Sequence, residues 1–476
     1  MEPLTDTSQV RETGASEPPL SLTTLIAYGA PSLAVGAAGF LLGIYLLKFS
    51  TDILLLAPAV MGTIVGLSRL WVAFTDPAAG YWSDRTRTRL GRRRSWILAA
   101  ALPIALGVFM VWNPPRDLEG TALIVWMAVG MFGLSTALTM FTVPHLSLGA
   151  ELSKQYHERT KIAGVRQLMA LCGSVLGVAC FKLMLLSEHG ADSAFGQNLI
   201  DWFSIPDDPR QMATVLSLGM GALAMAAIVG MVAMTRERSE YQGRPASSPR
   251  AALTDVVRNP HARLLLIVFA IHSYGQAAQP ILTPYHMQYV IGVPTFAAEL
   301  ILLYMVPSLL SIPFWIRLSR RFGKKHLWLG AMCIHSLSYF FLFFAQEGDV
   351  WIIVVSAIVN GIAGGCGSTV STSIKADVID WDEYHTGERK EGSYFAVWSF
   401  VQKAAFGLMA IVAMSLLQLQ GFVPNAEQSE QTRFGLRFIF GVVPGFFYLI
   451  GALVFLRFRF NEAEHAEIRA ELDARG

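Results

Sequence analysis

Long apolar runs alternate with short polar turns along the whole chain. A helix needs roughly 20 apolar residues to cross a bilayer. Runs of that length predict helices near 22–49, 55–82, 94–112, 119–147, 160–186, 211–234, 263–292, 297–317, 325–345, 350–378, 392–418 and 435–457. The expected fold class is therefore all-α and integral to the membrane, with twelve transmembrane helices. The runs at 297–317 and 325–345 are separated by a short basic turn, which predicts a helical hairpin. The polar stretch "TRERSEYQGRPASSPRAALTDVVRNPHAR" splits the chain into two sets of six. The predicted organisation is a disordered tail (1–21), a six-helix bundle (22–234), a central loop (235–262), a second bundle (263–458) and a tail (459–476). The first twenty residues lack the basic start and apolar stretch of a signal peptide.

Lysine and arginine stay on the cytoplasmic side of membrane proteins. Here they crowd every second turn. Arg85, Arg87, Arg89, Arg92, Arg93 and Arg94 follow the second run, and Lys154, Arg159 and Lys161 the fourth. Arg236, Arg238, Arg244, Arg250 and Arg258 follow the sixth, and Arg317, Arg320, Arg321, Lys324 and Lys325 the eighth. Arg389 and Lys390 follow the tenth, and Arg457 and Arg459 the twelfth. Both termini are thus expected in the cytoplasm, and the arginine cluster serves as a topology anchor that could also touch neighbouring helix ends. "RTRLGRRRSW" and "SRRFGKKHLW" share a basic–Gly–basic–Trp order, a sign of internal duplication. Two six-helix halves are a layout of secondary transporters, with the binding site between them.

Composition narrows the function. The chain is 53% hydrophobic and only 15% charged, against about a quarter charged in soluble domains. The net charge of +2 is carried by localised basic turns, so no nucleic-acid partner is expected. Cys172, Cys180, Cys333 and Cys366 lie in apolar runs and show neither metal nor disulfide spacing. His145, His272, His286 and His335 are scattered, which argues against a membrane enzyme, and no cofactor is expected. The expected partners are a small solute and the lipid bilayer, the protein being a monomer in the plasma (inner) membrane.

Charges inside the runs are the candidate chemistry, because each costs about 3 kcal/mol on insertion scales. Gly62, Gly66, Arg69, Ala73, Asp76 and Gly80 recur at intervals of three and four, one helix face. That face carries Asp76, which is either an ion or solute site or the partner of Arg69 or a loop arginine. Ala163, Arg166, Ala170, Gly173 and Gly177 form a second small-residue face, and Gly392, Ala396, Ser399, Lys403, Gly407 and Ala410 a third. Such faces permit close helix approach or leave room for a ligand. Arg166 and Lys403 could instead snorkel to the surface. Ser135, Thr139 and Thr142 share a face in the fourth run, one turn above His145, which is either a packed core residue or a proton carrier. The Gly-, Ser- and Thr-rich "NGIAGGCGSTVSTSIKADVIDWDEY" predicts a bent or loosely packed gating helix.

The stretches "TDILLLAPAVMGTIVGLSRLWVAFTDPAAGYWSDRTRTRLGRRRSWIL", "VPHLSLGAEL" with the following "HERT", and "ADVIDWDEYHTGERKEGSYFAVWSFVQK" carry a resemblance. The chain resembles the major facilitator superfamily, and within it the glycoside–pentoside–hexuronide:cation symporter family typified by melibiose permease. The similarity covers nearly the whole chain. It implies that Asp76 is a cation-site carboxylate, Thr139 a cation-site hydroxyl, Lys403 a group near both cation and sugar, and Arg166 a sugar-holding arginine. It gives structural or gating roles to Arg69, Gly80, Arg85, Gly91, Arg92, Asp377 and Asp380. The sugar-binding members carry further carboxylates where this chain has Val72, Gly36 and Thr142. Gly36 and Thr142 are thus substrate-site positions that have lost an acid, and Val72 removes half of a paired cation site.

The resemblance implies a cation-coupled symporter for a sugar, glycoside or related small solute, working by alternating access. A lysophospholipid or other amphiphile is the second expectation. With one carboxylate left, H⁺ is favoured over Na⁺ as the coupling ion, His145 being a second carrier; Asp76 would be a metal ligand only with Na⁺.

Overall fold

In a computed structural model, the structure describes residues 20–153, 155–237, 254, 256–388 and 390–475. The tail over residues 1–19 and the basic residues Lys154, Arg238, Arg244, Arg250 and Arg389 lie outside the described residues. Every regular element among the described residues is helical.

The N-terminal half holds α1 (Leu22–Ile44), α2 (Pro58–Arg85), α3 (Arg92–Trp112), α4 (Gly120–Glu151), α5 (Tyr156–His189), α6 (Ala194–Phe203) and α7 (Pro209–Met234). The C-terminal half holds α8 (Pro260–His286), α9 (Ala297–Leu310), α10 (Ile312–Phe322), α11 (Lys324–Leu342), α12 (Val350–Thr386), α13 (Glu391–Leu419), α14 (Glu430–Arg437), α15 (Val443–Phe455) and α16 (Glu462–Arg475). Helix starts follow local chemistry. Proline opens α2, α7 and α8, where its missing N–H leaves no bond unmade. The side chains of Ser21, Asp208 and Asn259 accept hydrogen bonds from the first exposed amides of α1, α7 and α8.

Ten helices among the described residues are long and apolar enough to cross a membrane, and α9 with α10, bent by 47°, makes an eleventh. The bend has a visible cause. Pro307 and Pro313 flank Ser311, and both Ser311 Oγ and Trp315 Nε1 donate to Ile362 O of α12, at 3.2 and 2.7 Å. The run predicted at 325–345 forms α11, which starts on two lysines and a histidine and is not among the ten. Two helices went unanticipated: amphipathic α6, and α16 within the expected tail.

Within the N-terminal half α1 packs on α5 and α7, and α3 on α4 and α7; within the other, α9 and α11 pack on α12, and α8 on α13 and α15. The halves meet mainly where α2 lies along α13. Two of the three small-residue faces read from the sequence, those of α2 and α13, meet each other there. A Cβ on Gly66 would stand 2.5 Å from Gly407 O, and one on Gly407 2.6 Å from Gly66 O.

The duplication is structural. Gly91 and Gly323 both adopt positive φ, +104° and +77°, immediately before α3 and α11. In each half an acid beyond the last long helix returns to that turn. Arg93 N donates to Glu237 at 3.2 Å, and Lys324 N donates to Glu462 Oε1 at 2.9 Å. These turns mark one end of the bundle, the basic end.

Hydrogen bonds gather the halves together at the opposite end. Tyr289 OH donates to Asp52 Oδ2 at 2.6 Å, Asn425 Nδ2 to Asp52 O at 2.7 Å, and Ala59 N to Gln418 Oε1 at 3.0 Å. Lys182 Nζ lies 2.7 Å from Glu299 Oε1.

Candidate functional site

Asp76 precedes Pro77 in α2, on the face turned toward α13 and α4. Lys403 Nζ of α13 donates to Asp76 Oδ2 at 2.5 Å, and Thr139 Oγ1 of α4 donates to Oδ1 at 2.9 Å. Thr75 Oγ1 donates to Thr139 at 3.4 Å. One carboxylate thus joins three helices and both halves. The pair is reachable by water, with side-chain exposures of 34% for Lys403 and 27% for Asp76. Lys403 therefore does not snorkel away; it ends on the acid.

Arg69 does not pair with Asp76. Its guanidinium lies 5.3 Å from the Phe406 ring centroid, and its Nε is buried without a hydrogen-bond partner. Gly36 proves to be a packing position: a Cβ there would stand 2.7 Å from Ala170 O of α5. The missing side chain lets α1 and α5 touch. Gly173 and Gly177 serve the same seam, at 2.2 Å from Leu33 O and 2.9 Å from Ala37 O. His145 is also set apart from the Asp76 pair. Its Nε2 lies 2.9 Å from Tyr28 O, Tyr28 OH donates back to His145 O at 3.0 Å, and the ring lies between Tyr28 and Phe141, tilted to the first and stacked on the second. Facing a carbonyl, Nε2 must carry the hydrogen, so the ring works as a clamp between α1 and α4. Thr142 is half-buried one turn from Thr139. Arg166 is half-buried on α5 and has no ion-pair partner among the described residues.

The basic end carries a network of ion pairs. Arg92 lies 2.7 Å from Glu151 and 3.8 Å from Asp84; Arg93 lies 2.8 Å and 3.0 Å from the same two. Two arginines and three carboxylates, with Glu237, knit α2, α3, α4 and the end of α7. Arg85 instead stacks on Tyr81 at 3.8 Å. Gly80 makes only an ordinary contact with Val143. In the other half Lys324 Nζ lies 2.6 Å from Asp377, and His465 of α16 lies 3.1 Å from Asp380.

A cavity of ≈ 370 Å³ lies between the halves, closer to the end opposite the basic turns. Phe40 and Ile44 of α1 face Ser273, Gln276, Gln279 and Thr283 of α8, Tyr304 of α9, and Gln402 and Phe406 of α13. Gln402 precedes Lys403 along α13, but neither Lys403 nor Asp76 is among the residues that line the cavity. Known small-molecule sites fall in roughly the 300–1,000 Å³ range. Among the described residues, no cluster of three metal-ligating acids, histidines or cysteines exists.

Two features escaped the sequence. Lys375 of α12 sits 3.6 Å from the Phe269 ring centroid and 5.3 Å from that of Trp398. The signal was a lysine inside the Ser/Thr-rich tenth run. The other is a buried triad: Lys48 Nζ is 3.3 Å from Asp52 Oδ2 and also pairs with Glu188, whose Oε2 accepts from Tyr45 OH at 2.5 Å. Their signal was the charge of "KFSTD" at the end of the first run.

A family model described as MFS/sugar transport protein matches residues 27–462. The isoprimeverose transporter of Lactiplantibacillus pentosus is 25% identical over 92% of this chain and 88% of its own. The sodium-dependent lysophosphatidylcholine symporter 1 of Xenopus tropicalis is 24% identical over 93% of this chain and 88% of its own. Among solved structures, the inward-facing, unoccupied form of a bacterial homolog to the human lysosomal transporter Spinster superposes with a TM-score of 0.67 at 14% identity, covering 92% of this chain and 98% of that one. These matches are transporters rather than enzymes. The chain therefore belongs to the MFS/sugar transport protein family, and it has the all-helical major facilitator fold.

Proposed function

We propose that the protein is a secondary active symporter that carries a sugar, glycoside or related small solute together with H⁺, by alternating access. The observation that carries this reading is the Lys403–Asp76–Thr139 cluster, an ionisable group that bridges both halves. An ion that neutralises Asp76 removes the charge that holds Lys403, and so loosens one link between the halves. A proton needs only one acceptor oxygen, and Asp76 supplies one where the two halves meet. Sodium wants several oxygen ligands, and the turn before Asp76 offers Val72 instead of a second acid. In this reading α11 is a twelfth span, the basic end is cytoplasmic, both termini lie there, and the molecule works as a monomer in the plasma membrane.

The test is uptake into vesicles with one gradient imposed at a time. Accumulation driven by a pH gradient and abolished by a protonophore supports the proposal. Accumulation driven by Na⁺ at equal pH, insensitive to a protonophore, would replace H⁺ by Na⁺.

A second reading, transport of an amphiphile such as a lysophospholipid, draws support from the cavity wall. Phe40, Ile44, Leu300, Ile301, Met305 and Leu342 leave much of it apolar. Uptake of a labelled lysolipid in preference to a glycoside would favour it.

A further inference from the structure

α6 stands apart from the long helices around it. It has 10 residues, about 15 Å at 1.5 Å per residue, half of the roughly 30 Å that a span must cover. It joins α5 to α7, and both of these are long and apolar enough to cross a membrane. α5 ends opposite the basic turns, where its Lys182 pairs with Glu299. α7 leads back to Glu237 at the basic end. The chain between them, α6 included, is therefore confined to the far end.

Its side chains are sorted by face. Phe195, Leu199, Trp202 and Phe203 recur at i, i+4, i+7 and i+8, one side of a helix. Phe195, Trp202 and Phe203 are 62%, 76% and 62% exposed. Gln197 and Asp201 lie on the opposite side, also exposed, and Gln197 Nε2 donates to Asp201 Oδ1 at 3.1 Å. A flank between these sides packs inward: Gly196 is buried, and a Cβ on it would stand 3.3 Å from the Leu186 side chain of α5. Both ends are tied. Ser193 Oγ accepts from Gly196 N at 3.1 Å, and Ser187 Oγ of α5 donates to Pro206 O. The aromatic rings are thus held outward by the fold.

The surroundings say what covers them. A helix with an apolar side and a polar side, lying where spanning helices leave the membrane, fits the boundary between lipid and water. Tryptophan is enriched at that boundary. The apolar side continues into the outward surface of α7, where Val215 and Leu218 are exposed. Three rings about two-thirds exposed present roughly 300–500 Å², short of the about 800 Å² that each partner of a stable protein complex contributes. Charge gives no further pull. Between Lys182 and Arg210 the chain holds Glu188, Asp192, Asp201, Asp207 and Asp208 and no Lys or Arg, so anionic lipid headgroups are not attracted.

We propose that α6 is an interfacial anchor whose partner is the phospholipid bilayer, with Phe195, Leu199, Trp202 and Phe203 among the lipid chains just below the headgroups and Gln197 and Asp201 in water. The anchor bears on the contact between the halves. Asp192, immediately before the capping Ser193, accepts a hydrogen bond from Thr295 Oγ1 of the C-terminal half. With α6 seated in the leaflet, the Asp192 side of that contact is kept at a fixed depth. The anchor serves whichever solute is carried.

The test uses the full-length protein in phosphatidylcholine vesicles. With the 4 native cysteines replaced by serine, a nitroxide is attached in turn to cysteine at positions 195, 197, 199, 201 and 202, and melting curves show that each variant folds. Collisions with oxygen, which concentrates in lipid, are compared with collisions with a nickel chelate, which stays in water. The oxygen-to-nickel ratio should be several-fold higher at 195, 199 and 202 than at 197 and 201. It should not change when phosphatidylglycerol is added to the vesicles. Free access of nickel to 195, 199 and 202 would place that side in water. Exclusion of both reagents would place it against protein, a second copy included. A higher ratio that appears only with phosphatidylglycerol would make the attachment electrostatic. Each of these overturns the proposal. A second measurement needs no cysteine replacement. The emission lost in Trp202→Tyr, taken as the difference from the parent, should be quenched by phosphatidylcholine brominated just below the headgroup and spared by iodide. Quenching by iodide alone, or by neither, overturns the proposal as well.

Discussion

Lys403 Nζ lies 2.5 Å from Asp76 Oδ2, an ion pair drawn between one helix of each half. Both side chains are about one-third exposed, so the pair contributes little to stability, about 0–1 kcal/mol. Asp76→Asn should therefore fold with a melting temperature within a few degrees of the parent, yet fail to accumulate solute against a gradient. Passive exchange of solute should survive. Normal accumulation by the variant would remove Asp76 from the coupling step.

The same contact predicts non-additivity. Residues that touch give interaction energies of about 0.5–3 kcal/mol in double-mutant cycles. Lys403→Ala should impair transport more in the parent than in an Asp76→Asn background. Purely additive effects on the transport rate would mean that the pair is never formed during turnover.

The buried triad predicts a larger effect on stability. Lys48 and Asp52 have no side-chain exposure and Glu188 has 5%. Lys48→Met would leave two buried carboxylates without their cation, at a cost of about 3–5 kcal/mol. Thermal unfolding should show a marked fall in the melting temperature. Adding Glu188→Gln should recover part of it.

Gly66 and Gly407 should tolerate no side chain. Leucine at either forces α2 away from α13, costing about 1–3 kcal/mol as overpacking does. Gly39→Ala is the control, because nothing lies within 4 Å of the added Cβ. Melting curves of the three variants settle the comparison.

The twin turns predict a graded response. Gly91→Ala meets both positive φ and Glu237 Oε2, 2.0 Å from the new Cβ; Gly323→Ala meets positive φ with 3.6 Å of room. Both should lose about 1–2 kcal/mol to backbone strain, and Gly91→Ala more, since Glu237 must also give way. Limited proteolysis of the basic-end loops should report the difference.

Periodicity placed Asp76, Thr139 and Lys403 on inward faces, and the resemblance brought them together. The small-residue faces were legible too, but not their use. Glycine at helical spacing serves a ligand or a helix equally, and only the neighbour decides. For Gly36 that neighbour is Ala170. His145 had the same ambiguity, since a ring nitrogen facing a carbonyl and one facing water look alike in a sequence. Arg69 sits two turns from Asp76 on one face, yet its guanidinium turns to Phe406 on another helix. Lys375 was hidden because its environment comes from α8 and α13, far away in the chain. The triad at Lys48 was obscured for a different reason: its helix changes to a π-helical turn over Phe49–Ile53, so regular spacing no longer tells which residues face inward.

The Gly66–Gly407 contact is placed off-centre along α2. At 1.5 Å per residue, about 12 Å of helix lie between it and Pro58, and about 28 Å between it and Arg85. Backbone meets backbone there, Gly66 against Gly407, so the contact can act as a fulcrum. Any rotation of one half about it moves the basic end of α2 more than twice as far as the other end. A separation at the far end just wide enough to break the Asp52, Tyr289 and Asn425 bonds would be geared up into a much wider swing at the arginine-bearing end.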